Sequence, residues 1–234
     1  MTRIAIVGDH RPDHETHAAT SAAIAHAATR LGVDADAAWI PTESLPGRAA
    51  EVLAPFAAVW IAPGSPYRSM QGALDAVTHA RTSGMPLLGT CAGFQHVVVE
   101  LARSLPGMAD AAHAEYDPGA AQLVVDELAC SLAGSAMDVD LLEESVAARA
   151  YGRRRTTERY YCRFGLNPQY VAPLDDAGMV ISGRDAAGEP RVVELPGHPF
   201  FVATLFVPQT ASTAAEPHPL VEAFVAAAHR RSGA

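Results

Sequence analysis

The chain has 234 residues, enough for one large α/β domain or two small ones, and 49% hydrophobic residues with abundant Ala supply a sizeable core. Its formal net charge of -9, with few basic clusters, argues against nucleic acid as a partner, and no apolar run reaches membrane-spanning length. Cys91, Cys130 and Cys162 stand at unrelated spacings that suggest neither a disulfide framework nor a zinc site. No signal peptide precedes the first apolar run, so the expectation is a soluble cytoplasmic protein without a membrane partner.

In chain order, the first hundred residues alternate strand and helix. The pattern predicts strand 4–8, helix 14–31 with Ala22, Ile24, Ala25 and Ala28 at helical spacing, and strand 37–40. A short helix near 48–53, strand 58–62, helix 70–82, strand 86–90 and helix 96–103 follow. Repeated βα units with short loops imply a mostly parallel open sheet flanked by helices, a flavodoxin-like α/β architecture with its site at the carboxyl ends of the strands. The second half predicts strands 122–126, 137–142, 160–164, 179–184, 191–195 and 201–207, with antiparallel hairpins. Residues 184–190 read as a hairpin loop, and 219–231 as a final amphipathic helix. No internal repeat or linker is visible, so 1–234 reads as a single domain. The Ala-rich helices leave flat surfaces on which copies of the chain can pair.

Residues 86–95, Pro-Leu-Leu-Gly-Thr-Cys-Ala-Gly-Phe-Gln, carry the chemistry. An apolar strand runs into Cys91 and then a helix, the form of a nucleophile elbow. The thiol projects near a helix N-terminus, whose partial positive charge favours thiolate. Gly89 and Gly93 permit the tight turn, and the Ala92 N–H can face an oxyanion. The plainer reading is a buried cysteine ending a core strand. One βα unit upstream, the turn Pro63-Gly64-Ser65 offers further backbone N–H groups for an oxyanion hole. Asp9 to His17 packs acids and histidines after the first strand. His10, His14 and His17 suggest either a metal site or a solvated helix start with Asp13 as N-cap; the second is favoured, and no metal is assigned. Arg153-Arg154-Arg155 reads as a solvated turn. There is no Gly-rich phosphate loop, and no cofactor is expected.

Four ordered segments resemble the class I glutamine amidotransferases, in detail the amidotransferase domain of CTP synthase. They are Pro63-Gly64 followed by the elbow, Ala114-Glu115-Tyr116-Asp117-Pro118, Glu158 to Asn167, and His198-Pro199-Phe200-Phe201-Val202-Ala203. The resemblance implies that Cys91 attacks the side-chain amide of glutamine, giving a γ-glutamyl thioester and ammonia for a partner enzyme. It also implies oxyanion donors at Gly64, Ser65 and Ala92, with the substrate's ammonium and carboxylate held by Gln95, Glu115 and Arg163. A carboxylate suits an ammonium, and a guanidinium grips a carboxylate as a fork. The family's base and orienter sit in Gln-Phe-His-Pro-Glu; here Phe206-Val207-Pro208-Gln209 puts Val207 at the histidine and Gln209 at the glutamate. Valine moves no proton, so the relay is incomplete and His198, His96 and His113 are the candidate replacement bases. The chain begins at the amidotransferase-like first strand, so CTP synthesis by this chain alone is not expected. Three readings follow: a divergent cysteine-nucleophile enzyme on glutamine or a related amide, a non-catalytic amino-acid-binding or regulatory protein, and a redox or carbonyl-active thiol protein of DJ-1-like kind.

Overall fold

The computed structural model describes residues 1–233. The first half is laid down as β1 (Thr2–Val7), α1 (Glu15–Leu31), β2 (Ala35–Ile40), α2 (Ala49–Leu53), β3 (Ala58–Ile61), α3 (Met70–Ser83), β4 (Leu87–Thr90) and α4 (Ala92–Arg103). Then come β5 (Ala112–His113), β6 (Leu123–Glu127), β7 (Ala136–Leu141), α5 (Val146–Tyr151), β8 (Arg155–Arg159), β9 (Phe164–Leu166) and α6 (Val171–Asp176). The chain closes with β10 (Val180–Arg184), β11 (Pro190–Glu194), β12 (Phe201–Thr204) and α7 (Pro219–Ser232).

Nine strands form one sheet in the order β2-β1-β3-β4-β12-β11-β10-β7-β8, and β5-β6-β9 form a second, small sheet. From β2 to β12 all pairings are parallel; β11, β10, β7 and β8 are added antiparallel, as the change of pattern in the second half predicts. Both faces of the parallel part are covered, so its strands are apolar without alternation. Neighbouring residues of β3 show the two layers. Trp60 meets Phe224 of α7 edge-on at 5.8 Å, while the next residue, Ile61, packs against α4. A Cβ on Gly93 would run into the Ile61 carbonyl oxygen, so only glycine lets α4 lie this close. Trp60, Phe94, Phe201 and Phe206 are fully buried; each such side chain contributes about 1.5–3 kcal/mol through loss of water contact.

Several elements differ from the sequence reading: β5, α5, β8 and α6 have no predicted counterpart, Arg155 begins β8 rather than lying in a turn, and two predicted strands change. Strand 160–164 is not formed: β8 ends at Arg159, the chain leaves the large sheet, and it pairs again as β9 against β6. Residues 160–163 cross between the sheets, tied by backbone bonds from Leu128, Leu132 and Gly134 to the carbonyls of Arg163, Cys162 and Tyr160. Strand 201–207 stops at Thr204, because its partner β4 ends where Cys91 turns into a helix; the Cys91 N–H bond to the Thr204 carbonyl, 2.9 Å, is the last across the pair. The N-cap of α1 is His14 rather than Asp13, and its side chain makes no capping bond. No helix among the described residues is long and apolar enough to cross a membrane.

Candidate active site

β1 is flanked by β2 on one side and β3 on the other, so the strand order reverses there and opens a crevice above the carboxyl ends of the parallel strands. A cavity of about 310 Å³ occupies it. Arg11, His14 and Thr16 enter from the β1–α1 loop and the first turn of α1, and Pro63, Gly64 and Ser65 from the turn after β3. Cys91 and Gln95 come from the elbow and α4, Glu115 from the loop after β5, and Tyr161, Cys162, Arg163 and Phe164 from the crossing segment. Of the ten residues assigned catalytic, oxyanion or substrate-binding roles from the sequence, six therefore converge: Cys91, Gly64, Ser65, Gln95, Glu115 and Arg163, with His14 of the first loop beside them.

Cys91 sits at φ 52°, ψ -105°, a conformation that side-chain-bearing residues avoid and that the strand-to-helix turn imposes. Its side chain stands at the N-terminus of α4, whose first residue is Ala92. Gly64 has φ +99°, and a Cβ there would meet His17 Nε2 at 2.8 Å and Arg11 Nη2 at 3.1 Å, so two side chains press on this turn. The turn is locked from below. His17 Nε2–H donates to the Pro63 carbonyl at 3.0 Å, and its Nδ1 accepts the Arg11 N–H at 3.0 Å. Burial lowers the His17 pKa to about 4, so the ring is neutral at pH 7, consistent with those partners. His10, Trp39 and His17 stack together, at 4.5 Å between the first two and 4.8 Å between the last two. Among the described residues no group of three His, Cys, Asp or Glu is placed to hold a metal.

Gln95 is fully committed to the frame: its Nε2 donates to the Phe164 carbonyl at 2.8 Å and its Oε1 accepts from His113 Nε2 at 3.0 Å. Glu115 is different. Its Oε2 is buried without a partner on a side chain that lines the cavity, which makes it a free acceptor for a cation. Arg163 lines the same cavity. Tyr161, beside Cys162, reaches across to donate to Glu15 Oε2 at 3.3 Å.

The three candidate bases are not poised for the task. His96 Nδ1–H donates to the Ala92 carbonyl at 2.8 Å, and its Nε2 accepts from the Tyr116 hydroxyl at 3.1 Å. His113 Nδ1 accepts the Glu115 N–H at 3.1 Å and its Nε2–H holds Gln95. Every ring nitrogen is used, and burial lowers the pKa values to about 4 and about 3. His198 precedes β12, the neighbour of β4, and so lies at the opposite end of these parallel strands from Cys91, where its Nε2–H donates to the Ala80 carbonyl at 3.1 Å. Each of the three makes hydrogen bonds within the fold, and none lines the cavity that holds Cys91.

Val207 is buried, and its N–H donates to the Arg159 carbonyl at 2.9 Å. Gln209 fills the neighbouring position: its Nε2 donates to Thr20 Oγ1 at 3.2 Å and Thr90 Oγ1 at 3.3 Å, while its Oε1 has no partner. Thr90 immediately precedes Cys91, so Gln209 braces the elbow through a neutral amide. The sequence reading missed Arg11, Thr16, Tyr161, Cys162 and Phe164. Tyr161, Cys162 and Phe164 lie within the segment Glu158 to Asn167 that the sequence singles out, and Arg11 and Thr16 within Asp9 to His17, but nothing in the sequence assigns them a role at the site.

Residues 15–227 match the family model for class-I glutamine amidotransferases. The chain belongs to the class I glutamine amidotransferases. The chain is 36% identical over 230 residues to the CTP synthase of Methanopyrus kandleri, covering 93% of the chain and 43% of that protein. It is 32% identical to the CTP synthase of Saccharolobus solfataricus, covering 96% of the chain and 44% of the relative; the chain thus spans less than half of these relatives' length. Among solved structures, the glutaminase domain of Trypanosoma brucei CTP synthase with bound acivicin superimposes with a TM-score of 0.91 at 28% identity, covering 98% of this chain and 94% of that one. A putative GMP synthase subunit from Thermoplasma acidophilum, at TM-score 0.63 and 14% identity, shares the fold.

Proposed function

We propose that this amidotransferase binds glutamine or a related amino-acid amide and forms a covalent adduct at Cys91 without the His–Glu pair. The reading rests on one convergence: the strained elbow cysteine shares its cavity with the unpartnered Glu115 carboxylate and with Arg163. Glu115 takes the substrate's ammonium and Arg163 its carboxylate. The amide carbonyl then lies over Cys91, with the backbone N–H groups of Gly64 and Ala92 as donors to its developing negative charge. Sulfur attacks the carbonyl carbon, and collapse of the adduct expels ammonia once its nitrogen is protonated. An ammonia-consuming enzyme or domain is the partner class this product calls for. Val207 removes the usual proton carrier, so turnover is slow; loss of a general acid–base typically costs about 10²–10⁴-fold.

The test is labelling by acivicin, an amino acid with an electrophilic ring carbon, followed by peptide mapping and beside a glutamine-dependent ammonia assay. Stoichiometric modification of Cys91, loss of ammonia release in Cys91→Ala, and roughly tenfold weaker protection by glutamine in Glu115→Gln are expected. A folded protein that leaves Cys91 unmodified and releases no ammonia, even after Val207→His/Gln209→Glu, overturns the reading. The buried Val207 and Gln209 favour a second one, an amino-acid-binding protein without turnover. It is recognised by ligand-induced stabilisation that survives Cys91→Ala.

A further inference from the structure

Cys162 is not explained by amide chemistry. It is a free thiol, almost fully buried, on the segment that crosses between the two sheets, and it lines the cavity together with Cys91. The two cysteines are anchored on consecutive carbonyls at the end of β12. The Cys91 N–H donates to Thr204 O at 2.9 Å, and the Cys162 thiol donates to Leu205 O at 3.1 Å. Burial first, and then the neighbouring Cys91 sulfur, raise the Cys162 pKa well above its usual value. Cys162 is thus held protonated beside the sulfur at the N-terminus of α4. Arg11 and Arg163 line the same cavity and bring positive charge to it. The third cysteine, Cys130, is exposed and lines a different cavity.

We propose that Cys91 and Cys162 form a redox pair, in which Cys91 reduces a small hydroperoxide and Cys162 closes the disulfide. In the first step the Cys91 thiolate attacks the terminal peroxide oxygen. An S–O bond forms as the O–O bond breaks, and the departing alkoxide or hydroxide takes up a proton. The sulfur is oxidised to the sulfenic acid and the peroxide is reduced to an alcohol or water. In the second step Cys162 gives up its proton and attacks the Cys91 sulfur. The S–S bond forms, the S–O bond breaks, and the oxygen leaves as water. A dithiol returns the pair to two thiols by two exchange steps. Neither step uses the base that Val207 replaces.

The experiment uses the full chain carrying Cys130→Ser. Reduced protein is mixed with one equivalent of hydrogen peroxide, then examined by thiol titration in denaturant, intact mass and peptide mapping. The expected result is loss of both thiols together, a mass lower by two hydrogens, a Cys91–Cys162 cross-linked peptide, and recovery with dithiothreitol. Oxidation of the pair should be roughly tenfold or more faster than that of Cys130 in the unaltered chain. Cys162→Ser should accumulate a dimedone-reactive sulfenic acid at Cys91, and Cys91→Ser should leave Cys162 reduced. Over-oxidation of Cys91 while Cys162 stays titratable overturns the proposal, as does oxidation of Cys130 first in the unaltered chain. The peptide map of the Cys130→Ser chain decides the matter even where the single-cysteine variants fail to fold. Acivicin labelling of the reduced protein reports the amide site separately, so either reading can fail while the other stands.

Discussion

Cys91 carries a Cβ at φ 52° because the turn from β4 into α4 leaves no other path for the chain. For a residue with a side chain such a conformation costs on the order of 1–2 kcal/mol, and glycine escapes most of it. Cys91→Gly should therefore be about 1 kcal/mol more stable than Cys91→Ala in urea unfolding. Both variants lack the thiol, and alanine alone keeps the strain. Equal midpoints, or a more stable alanine variant, would show that the elbow stores no strain at this residue. The same reasoning marks Gly64: its φ of +99° and the approach of His17 and Arg11 exclude a side chain there. Glycine could be read as a turn residue from sequence. The pressure of two neighbouring side chains on it could not, because Arg11 arrives from the β1–α1 loop and His17 from α1, both distant in sequence.

At the scale of elements, the parallel half was legible and the segments that change sheets were not. Strands such as Ala58–Ile61 are continuous apolar runs between turn signals, and helices such as Met70–Ser83 keep their spacing over several turns. Residues 160–163 look like a strand because Tyr160, Tyr161 and Phe164 suit one. Which sheet they join is decided by pairing partners far away in sequence, so Cys162 met Cys91 only in the fold. The hairpin at 184–190 was legible, and its loop is secured by an ion pair that was not. Arg191 Nη2 lies 2.7 Å from Asp185 Oδ2, with both residues buried, while Asp185 Oδ1 accepts the N–H groups of Ala187 and Glu189. Removing one partner of such a pair strands the other charge, at a cost of about 3–5 kcal/mol. Asp185→Ala should lose about that much in urea unfolding, and Asp185→Leu with Arg191→Met should recover most of it. A single-variant loss below about 1 kcal/mol would mean that Arg191 finds water or another acceptor.

For the whole molecule, the candidate site and the stability share the same buried histidines. That Gln95, Glu115 and Arg163 share one cavity with Cys91 was legible from short segments, since these positions lie at or near the ends of strands. The surroundings of the histidine rings were not legible, because burial, which sets their proton states, is not displayed by a sequence. His17 under the Pro63 turn, and His96 and His113 behind Gln95 and Glu115, titrate in the fold at about 4, about 4 and about 3, below the ordinary 6.5. Desolvation is the leading cause in each. Above about pH 6.5 these rings are neutral in both the folded and unfolded chain, and their contribution is fully present. As pH falls below that value the unfolded chain binds protons that the fold refuses, so stability falls with pH. The loss continues until about pH 4 for His17 and His96 and about pH 3 for His113, at up to about 1.4 kcal/mol per pH unit for each ring. The urea midpoint should therefore be clearly lower at about pH 5 than at about pH 7, with the imidazole NMR shifts of all three still at their neutral positions. A midpoint unchanged over that interval, or rings that protonate in the native protein near the ordinary value, would mean that water reaches them. The turn at Pro63 and the frame around Gln95 would then be looser than these bonds make them.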